Sequence, residues 1–153
     1  MPRCLDEVEK NYYFYFAFEN AISEDYVTEK ILHALDHYTV PVVYGGADYS
    51  RYLPPSSYLN AYKLGAKNLA KEMNDIIENR EIYYRYFRWR QYYTIKGRNK
   101  DPRTDEYCRF CAMANDEVLM TNQTIYKNLR SWWTPAGMCK NVNEEWIVNG
   151  KSK

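Results

Sequence analysis

The chain has 153 residues, with 21 Lys and Arg against 20 Asp and Glu, a formal net charge of +1. That balance excludes partners recognised by bulk charge alone, such as unspecific nucleic acid. A 46% hydrophobic fraction with 17 Tyr excludes disorder, and the longest apolar runs fall well short of a membrane span.

The opening Met1-Pro2-Arg3-Cys4-Leu5-Asp6-Glu7 lacks the apolar stretch of a signal peptide, so no segment of this chain is expected to cross or anchor to a membrane. The run Tyr12-Tyr13-Phe14-Tyr15-Phe16-Ala17-Phe18 reads as a strand buried on both faces, ending at Glu19-Asn20. Val27, Ile31, Ala34, Leu35 and Tyr38 then recur at helical spacing, with Ser23 or Asp25 as the expected cap. Val40-Pro41-Val42-Val43-Tyr44 reads as a second buried strand closed by Gly45-Gly46, completing a βαβ unit. Past Pro54-Pro55, residues 57–61 suit a short third strand, and Ala66, Leu69, Ala70, Met73, Ile76 and Ile77 mark a helix. A further helix is expected over residues 80–93, with Ile82, Tyr86, Trp89 and Tyr93 on one face and Gly97 and Pro102 ending it. From residue 112 the pattern weakens to an irregular or helical tail. The alternation predicts one α/β domain over residues 1–153, a Rossmann-like parallel sheet with flanking helices.

In an open α/β sheet, ligands bind beyond the carboxyl ends of the strands, so the first strand-to-helix connection is the place to look for a site. It holds Glu19, Asn20, Tyr26, Thr28, Glu29 and Lys30 between two apolar runs. A carboxylate there can accept both hydroxyls of a ribose, and a lysine beside it can neutralise a diphosphate. The simpler reading makes Glu29 and Lys30 solvated helix residues and Asp25 a cap. Glu19 resists such a reading, because a carboxylate closing an apolar strand needs either a ligand crevice or a specific partner.

Gly45-Gly46 suits either a plain turn or close approach of backbone to a ligand. Neither G-x-G-x-x-G nor a Walker A pattern occurs, which removes dehydrogenase and P-loop readings. No Asp-x-Asp occurs, so a divalent metal is not implied and no cofactor is expected. His33 and His37 are spaced for zinc but lack the H-E-x-x-H glutamate and a third ligand. Cys108 and Cys111 form a lone C-x-x-C, open to redox, zinc or disulfide readings, while Cys4 and Cys139 complete the four cysteines. Asn122-Gln123-Thr124 is a glycosylation triplet that points, with the cysteines, toward a lumenal compartment. Nine basic against four acidic residues between Arg80 and Arg109, interleaved with aromatics, suit single-stranded RNA, but aromatics at helical spacing more simply form core.

Phe16-Ala17-Phe18-Glu19-Asn20, Asp25-Tyr26-Val27-Thr28-Glu29-Lys30, Val40-Pro41-Val42-Val43 with Gly45-Gly46, Tyr52-Leu53-Pro54, Ser57-Tyr58-Leu59 and Tyr86-Phe87-x-Trp89-Arg90 together resemble the signature of the α-1,3-fucosyltransferases, over roughly residues 12–111. The resemblance implies the C-terminal, donor-binding half of a two-domain GT-B glycosyltransferase that transfers L-fucose from GDP-fucose to N-acetylglucosamine in glycans, with inversion. It makes Glu29 the ribose-binding carboxylate and Lys30 a diphosphate contact, with Tyr26, Thr28, Glu19 and Asn20 around the donor. It implies Golgi lumenal localisation for the full-length, membrane-anchored family members. It further implies that the general base, an additional arginine, the anchor and the N-terminal acceptor domain lie outside this chain, so that no catalytic base is assigned here. In the family the C-x-x-C cysteines commonly bridge to that N-terminal domain. The alternative expectation is an inactive nucleotide- or glycan-binding module of the same fold.

Overall fold

The computed structural model describes residues 4–95, 105–121 and 125–133, and the backbone of 139–140. Cα packing groups the chain into two compact units, Met1–Tyr93 with Gly137–Lys153, and Thr94–Ala136.

In the first unit, α1 (Cys4–Asn11) leads into β1 (Phe14–Phe18), followed by β2 (Ile22–Ser23), α2 (Lys30–Leu35) and β3 (Val40–Tyr44). Then come β4 (Leu59–Asn60), α3 (Ala61–Glu78) and α4 (Arg80–Arg85). β1, β3 and β4 form a parallel sheet in that order, with Phe16 opposite Val42 and Val43 opposite Asn60. The β1–α2–β3 unit is the βαβ expected from the apolar runs. Val40, Val42 and Val43 are fully buried because helices cover both faces of the central strand. On one face Ile31, Ala34 and Leu35 of α2 are buried. On the other, Val40, Val42, Leu59, Ala61, Leu69 and Ile76 form the core, each of the larger ones contributing roughly 1.5–3 kcal/mol by leaving water.

The expected helix over residues 27–38 contracts to six residues, and neither expected cap starts it. Ser23 instead lies in β2, which pairs antiparallel with β5 (Cys139–Lys140). Asp25 takes a left-handed backbone, φ 54°, and its carboxylate accepts from Arg51 Nη1 at 2.7 Å and Tyr52 Oη at 3.1 Å. Residues 26–28, which follow that turn, have no regular secondary structure, and the helix begins only at Lys30. α3 starts earlier than its apolar stripe suggests, capped by Asn60, whose side chain accepts from Lys63 N–H. It kinks at Gly65, where φ of 72° suits glycine.

The helix expected over residues 80–93 breaks after Arg85 and tightens into a 3-10 turn, Arg88–Gln91. The tightening buries Trp89, leaves Tyr93 exposed, and brings the Arg90 guanidinium onto the end of α2. There Arg90 Nη2 donates to Leu35 O at 2.6 Å and His37 O at 2.7 Å, with the plane 4.3 Å from the Tyr38 ring centre. The arginine therefore satisfies carbonyls that a helix terminus leaves open. This contact accounts for Trp89-Arg90 standing together in the sequence.

In the second unit, the described residues form α5 (Glu106–Ala114), α6 (Glu117–Thr121) and α7 (Leu129–Trp133), the last two within the tail expected to be irregular or helical. Asp105, Asp116 and Asn128 cap them, each side chain accepting from a backbone N–H of the first turn. Cys4, Cys108 and Cys111 are free, exposed thiols, and burial together with Asp105 raises Cys108 above the ordinary thiol pKa. Asn122, Gly97 and Pro102 lie outside the described residues.

Candidate functional site

The parallel sheet brings the ends of β1 and β3 side by side, with Glu19 N–H donating to Tyr44 O at 2.9 Å. Glu19 leaves β1 pointing inward, and none of its side chain is exposed. A carboxylate so placed needs donors, and Thr28 supplies two. Thr28 N–H reaches Glu19 Oε1 at 2.9 Å and Thr28 Oγ1 donates to Oε2 at 2.8 Å. The Lys30 ammonium lies 3.6 Å from the same Oε2 and donates to Asn20 Oδ1 at 2.8 Å.

The sequence-predicted residues are thus brought together, in two different situations. Glu19 and Thr28 satisfy each other, so both Thr28 donors are committed inside the protein rather than to a ligand. Asn20, Tyr26 and Glu29 are exposed, and Lys30 is partly so. Glu29 stands at the start of α2 without a side-chain cap bond, and its carboxylate has neither hydrogen bond nor ion pair among the described residues. An ammonium carries three N–H donors, and Glu19 and Asn20 orient the group without exhausting them. The arrangement therefore presents an open carboxylate next to a held cation at the carboxyl ends of two parallel strands.

The loop that carries these groups is fixed from beneath by Gly45-Gly46 and by Tyr49, a residue the sequence did not single out. A Cβ on Gly46 would lie 2.7–2.9 Å from the O, N and C atoms of Ser23, so that backbone packs where only glycine leaves space. At Gly45 a Cβ would lie 2.3 Å from Tyr49 Oη and 3.2 Å from Glu19 Cγ. The Gly45-Gly46 pair therefore admits the protein's own backbone and phenol. Tyr49 is 1% exposed and its hydroxyl has no hydrogen-bond partner among the described residues. Burial, then the nearby Glu19 charge, pushes its pKa up to about 12. Nothing in the sequence distinguishes Tyr49 from the other tyrosines, because its neighbours come from two different strand ends.

His33 and His37 serve packing. His33 Nδ1 lies 3.3 Å from Tyr15 Oη, and His37 lies 2.8 Å from His33 O through Nδ1 and 3.6 Å from Asp6 through Nε2. Among the described residues, no group of three His, Cys, Asp or Glu side chains converges as metal ligands do. No described helix is long and apolar enough to cross a membrane. A cavity of about 450 Å³ lies elsewhere, beyond the end of β4, lined by Leu53, Pro55, Tyr58, Asn60 and Lys63 among others. It includes none of the residues around Glu19, and the convergence of polar groups there is the stronger mark of a site.

The model of glycosyltransferase family 10 (fucosyltransferase), C-terminal part, matches residues 1–132. The chain is 38% identical over 133 residues to alpha-(1,3)-fucosyltransferase C of Drosophila melanogaster, covering 86% of this chain and 30% of that protein. It is 32% identical over 141 residues to glycoprotein 3-alpha-L-fucosyltransferase A of the same organism, covering 90% and 27%. Against the human 3-galactosyl-N-acetylglucosaminide 4-alpha-L-fucosyltransferase FUT3 it is 33% identical over 132 residues, covering 84% and 35%. The chain thus spans about a third of the length of the curated relatives it matches.

Proposed function

The chain belongs to glycosyltransferase family 10, the fucosyltransferases, which are GT-B enzymes, and on that premise we propose that it forms the donor-binding part of an α-1,3-fucosyltransferase. In this reading the donor is GDP-fucose and the acceptor hydroxyl belongs to N-acetylglucosamine in a glycan, with the reaction located in the Golgi lumen. The observation that carries it is the unpaired, exposed Glu29 carboxylate beside Lys30, whose ammonium Glu19 and Asn20 hold in place.

Glu29 accepts hydrogen bonds from the two ribose hydroxyls, an exposed carboxylate being able to take both at once. Lys30 meets the diphosphate, and its charge matters most as the bond between the fucose anomeric carbon and the phosphate oxygen breaks and GDP departs with an added negative charge. Asn20 and Tyr26 border the donor, while Glu19 and Thr28 position Lys30 from below. The acceptor oxygen loses its proton to a carboxylate base and bonds to the anomeric carbon from the opposite face, inverting it. That base belongs to the length that the relatives carry and this chain does not span, as do most acceptor contacts. In this reading the charge of the diphosphate is met by Lys30, with no divalent metal required.

Calorimetric titration of the chain with GDP, GDP-fucose and GDP-mannose, with a transfer assay on the same sample, tests the reading. Expected is GDP binding on the order of micromolar with preference for GDP-fucose over GDP-mannose. Equal or absent binding of all three would overturn it. Binding without transfer would identify a donor module whose catalytic half must be supplied.

A further inference from the structure

The segment between β2 and α2, residues 24–29, carries Tyr26, Thr28 and Glu29 and lies outside helix and strand. One end is tied to the sheet by the two Thr28 donors on Glu19. Near the other end Asp25 has a φ of 54°, a left-handed backbone that few residues besides glycine, asparagine and aspartate enter. Just after it, Tyr26 N–H reaches Ser23 O at 3.4 Å, a bond too long to fix the turn by itself. The stronger hold comes from farther along the chain. Arg51 Nη1 donates to Asp25 Oδ1 at 2.7 Å, and Tyr52 Oη donates to the same oxygen at 3.1 Å. These two donors stand on a firm base. Asp48 caps the 3-10 turn Tyr49–Arg51 by accepting from Ser50 N–H and Ser50 Oγ, and Tyr49 and Leu53, which bracket the pair, are buried. The Arg51 guanidinium also lies 5.7 Å from the Tyr52 ring centre, so the donors brace each other.

We propose that Arg51 and Tyr52 are positioning residues, which latch Asp25 in its left-handed turn and thereby set how Tyr26 and Glu29 are presented to the nucleotide, without touching it themselves. The inference rests on the donor-site reading. An exposed ion pair contributes little to global stability, and the Arg51 and Asp25 side chains are 60% and 50% exposed. What the latch governs is the fraction of molecules whose loop already has the binding arrangement. Apparent affinity falls in proportion to that fraction.

The test measures GDP affinity by calorimetry, the urea midpoint and hydrogen exchange of the Thr28 amide in the parent, Asp25→Ala, Arg51→Ala and the double variant. Each single variant should weaken GDP about threefold to tenfold, and the double variant no further, because all three lose one shared interaction. The Thr28 amide should exchange several times faster in each, while the midpoints stay near that of the parent. Asp25→Asn keeps an acceptor oxygen and tolerates the left-handed backbone, so its GDP affinity should lie within about twofold of the parent. If Asp25→Ala lowers the midpoint because alanine resists a positive φ, Asp25→Gly takes the turn without strain and should weaken GDP to the same extent. Weakening by Arg51→Ala with parent-like affinity in Asp25→Gly would make Arg51 a direct phosphate contact and overturn the latch. Parent-like affinity and exchange in Arg51→Ala would overturn it as well. A parent that binds no GDP, yet exchanges faster at Thr28 once Arg51 is removed, would refute the donor reading and leave the latch standing.

Discussion

Substituting Gly45 by Ala should destabilise the protein, and Tyr49→Phe should rescue it. The backbone at Gly45 does not require glycine, since its φ lies outside the left-handed range, so the whole penalty is steric. The added Cβ would lie 2.3 Å from Tyr49 Oη, far inside contact distance, with Glu19 Cγ at 3.2 Å and Tyr49 Cζ at 3.4 Å. Tyr49 is 1% exposed and packs against the Tyr58 ring, so it cannot swing into solvent. Overpacking of this kind costs about 1–3 kcal/mol, from which the lower chain entropy of unfolded Ala removes about 0.4–1 kcal/mol. A net loss of about 1–2 kcal/mol is expected for Gly45→Ala. Tyr49→Phe alone removes a buried hydroxyl that has no partner among the described residues and should be neutral or slightly stabilising. In the double variant the nearest atoms are the 3.2 and 3.4 Å carbons, and the loss should shrink by about 1 kcal/mol or more. Urea midpoints for the four proteins of the cycle measure the coupling. Additive effects within about 0.5 kcal/mol would refute the steric account of Gly45.

Glu19→Gln places an amide where Thr28 N–H, Thr28 Oγ1 and Lys30 converge, and should cost about 2 kcal/mol in urea unfolding. Thr28→Val should cost about 1 kcal/mol, and less than that when added to Glu19→Gln, because the two share one interaction. Arg90→Lys should cost about 1 kcal/mol, since an ammonium donating to the Leu35 and His37 carbonyls forgoes the planar guanidinium placed over the Tyr38 ring; an unchanged midpoint would remove this role of Arg90. Tyr49 is held neutral by burial, with its pKa raised from 10 to about 12 in the folded protein. That contribution is complete below the unfolded pKa of 10 and disappears as pH rises toward 12, so stability should fall over this window less steeply in Tyr49→Phe than in the parent.

β1, β3 and α3 were legible because their signals are local. Two apolar runs and one stripe at helical spacing survive any tertiary arrangement that buries them. The sequence pattern extends α2 too far because Val27 fits the helical stripe, while the left-handed turn at Asp25 is bonded to Arg51 and Tyr52, which arrive from beyond β3. β2 could not be read, because two residues become a strand only by pairing with Cys139 and Lys140 at the far end of the chain. At the site, residue types and spacing marked residues that the structure brings together, but not how they pair with one another. Thr28 reads as a donor-pocket residue in sequence, and its N–H and hydroxyl donate to Glu19, a pairing that spacing does not encode because only burial reveals which carboxylate needs internal donors. Tyr49 and the reason for Gly45-Gly46 were invisible for the same cause, a close approach between segments that sequence spacing does not encode.

The most direct measurement of the donor-site claim is GDP affinity by calorimetry for the parent chain, Glu29→Ala and Lys30→Ala, with folding of each checked by urea midpoint. Glu29 is exposed and unpaired among the described residues, so its loss should leave stability unchanged while weakening GDP about tenfold or more; Lys30→Ala should weaken it comparably, the worth of one charge-assisted hydrogen bond. Parent-like GDP affinity in both variants, with the parent binding GDP, would place the nucleotide elsewhere and contradict the assignment.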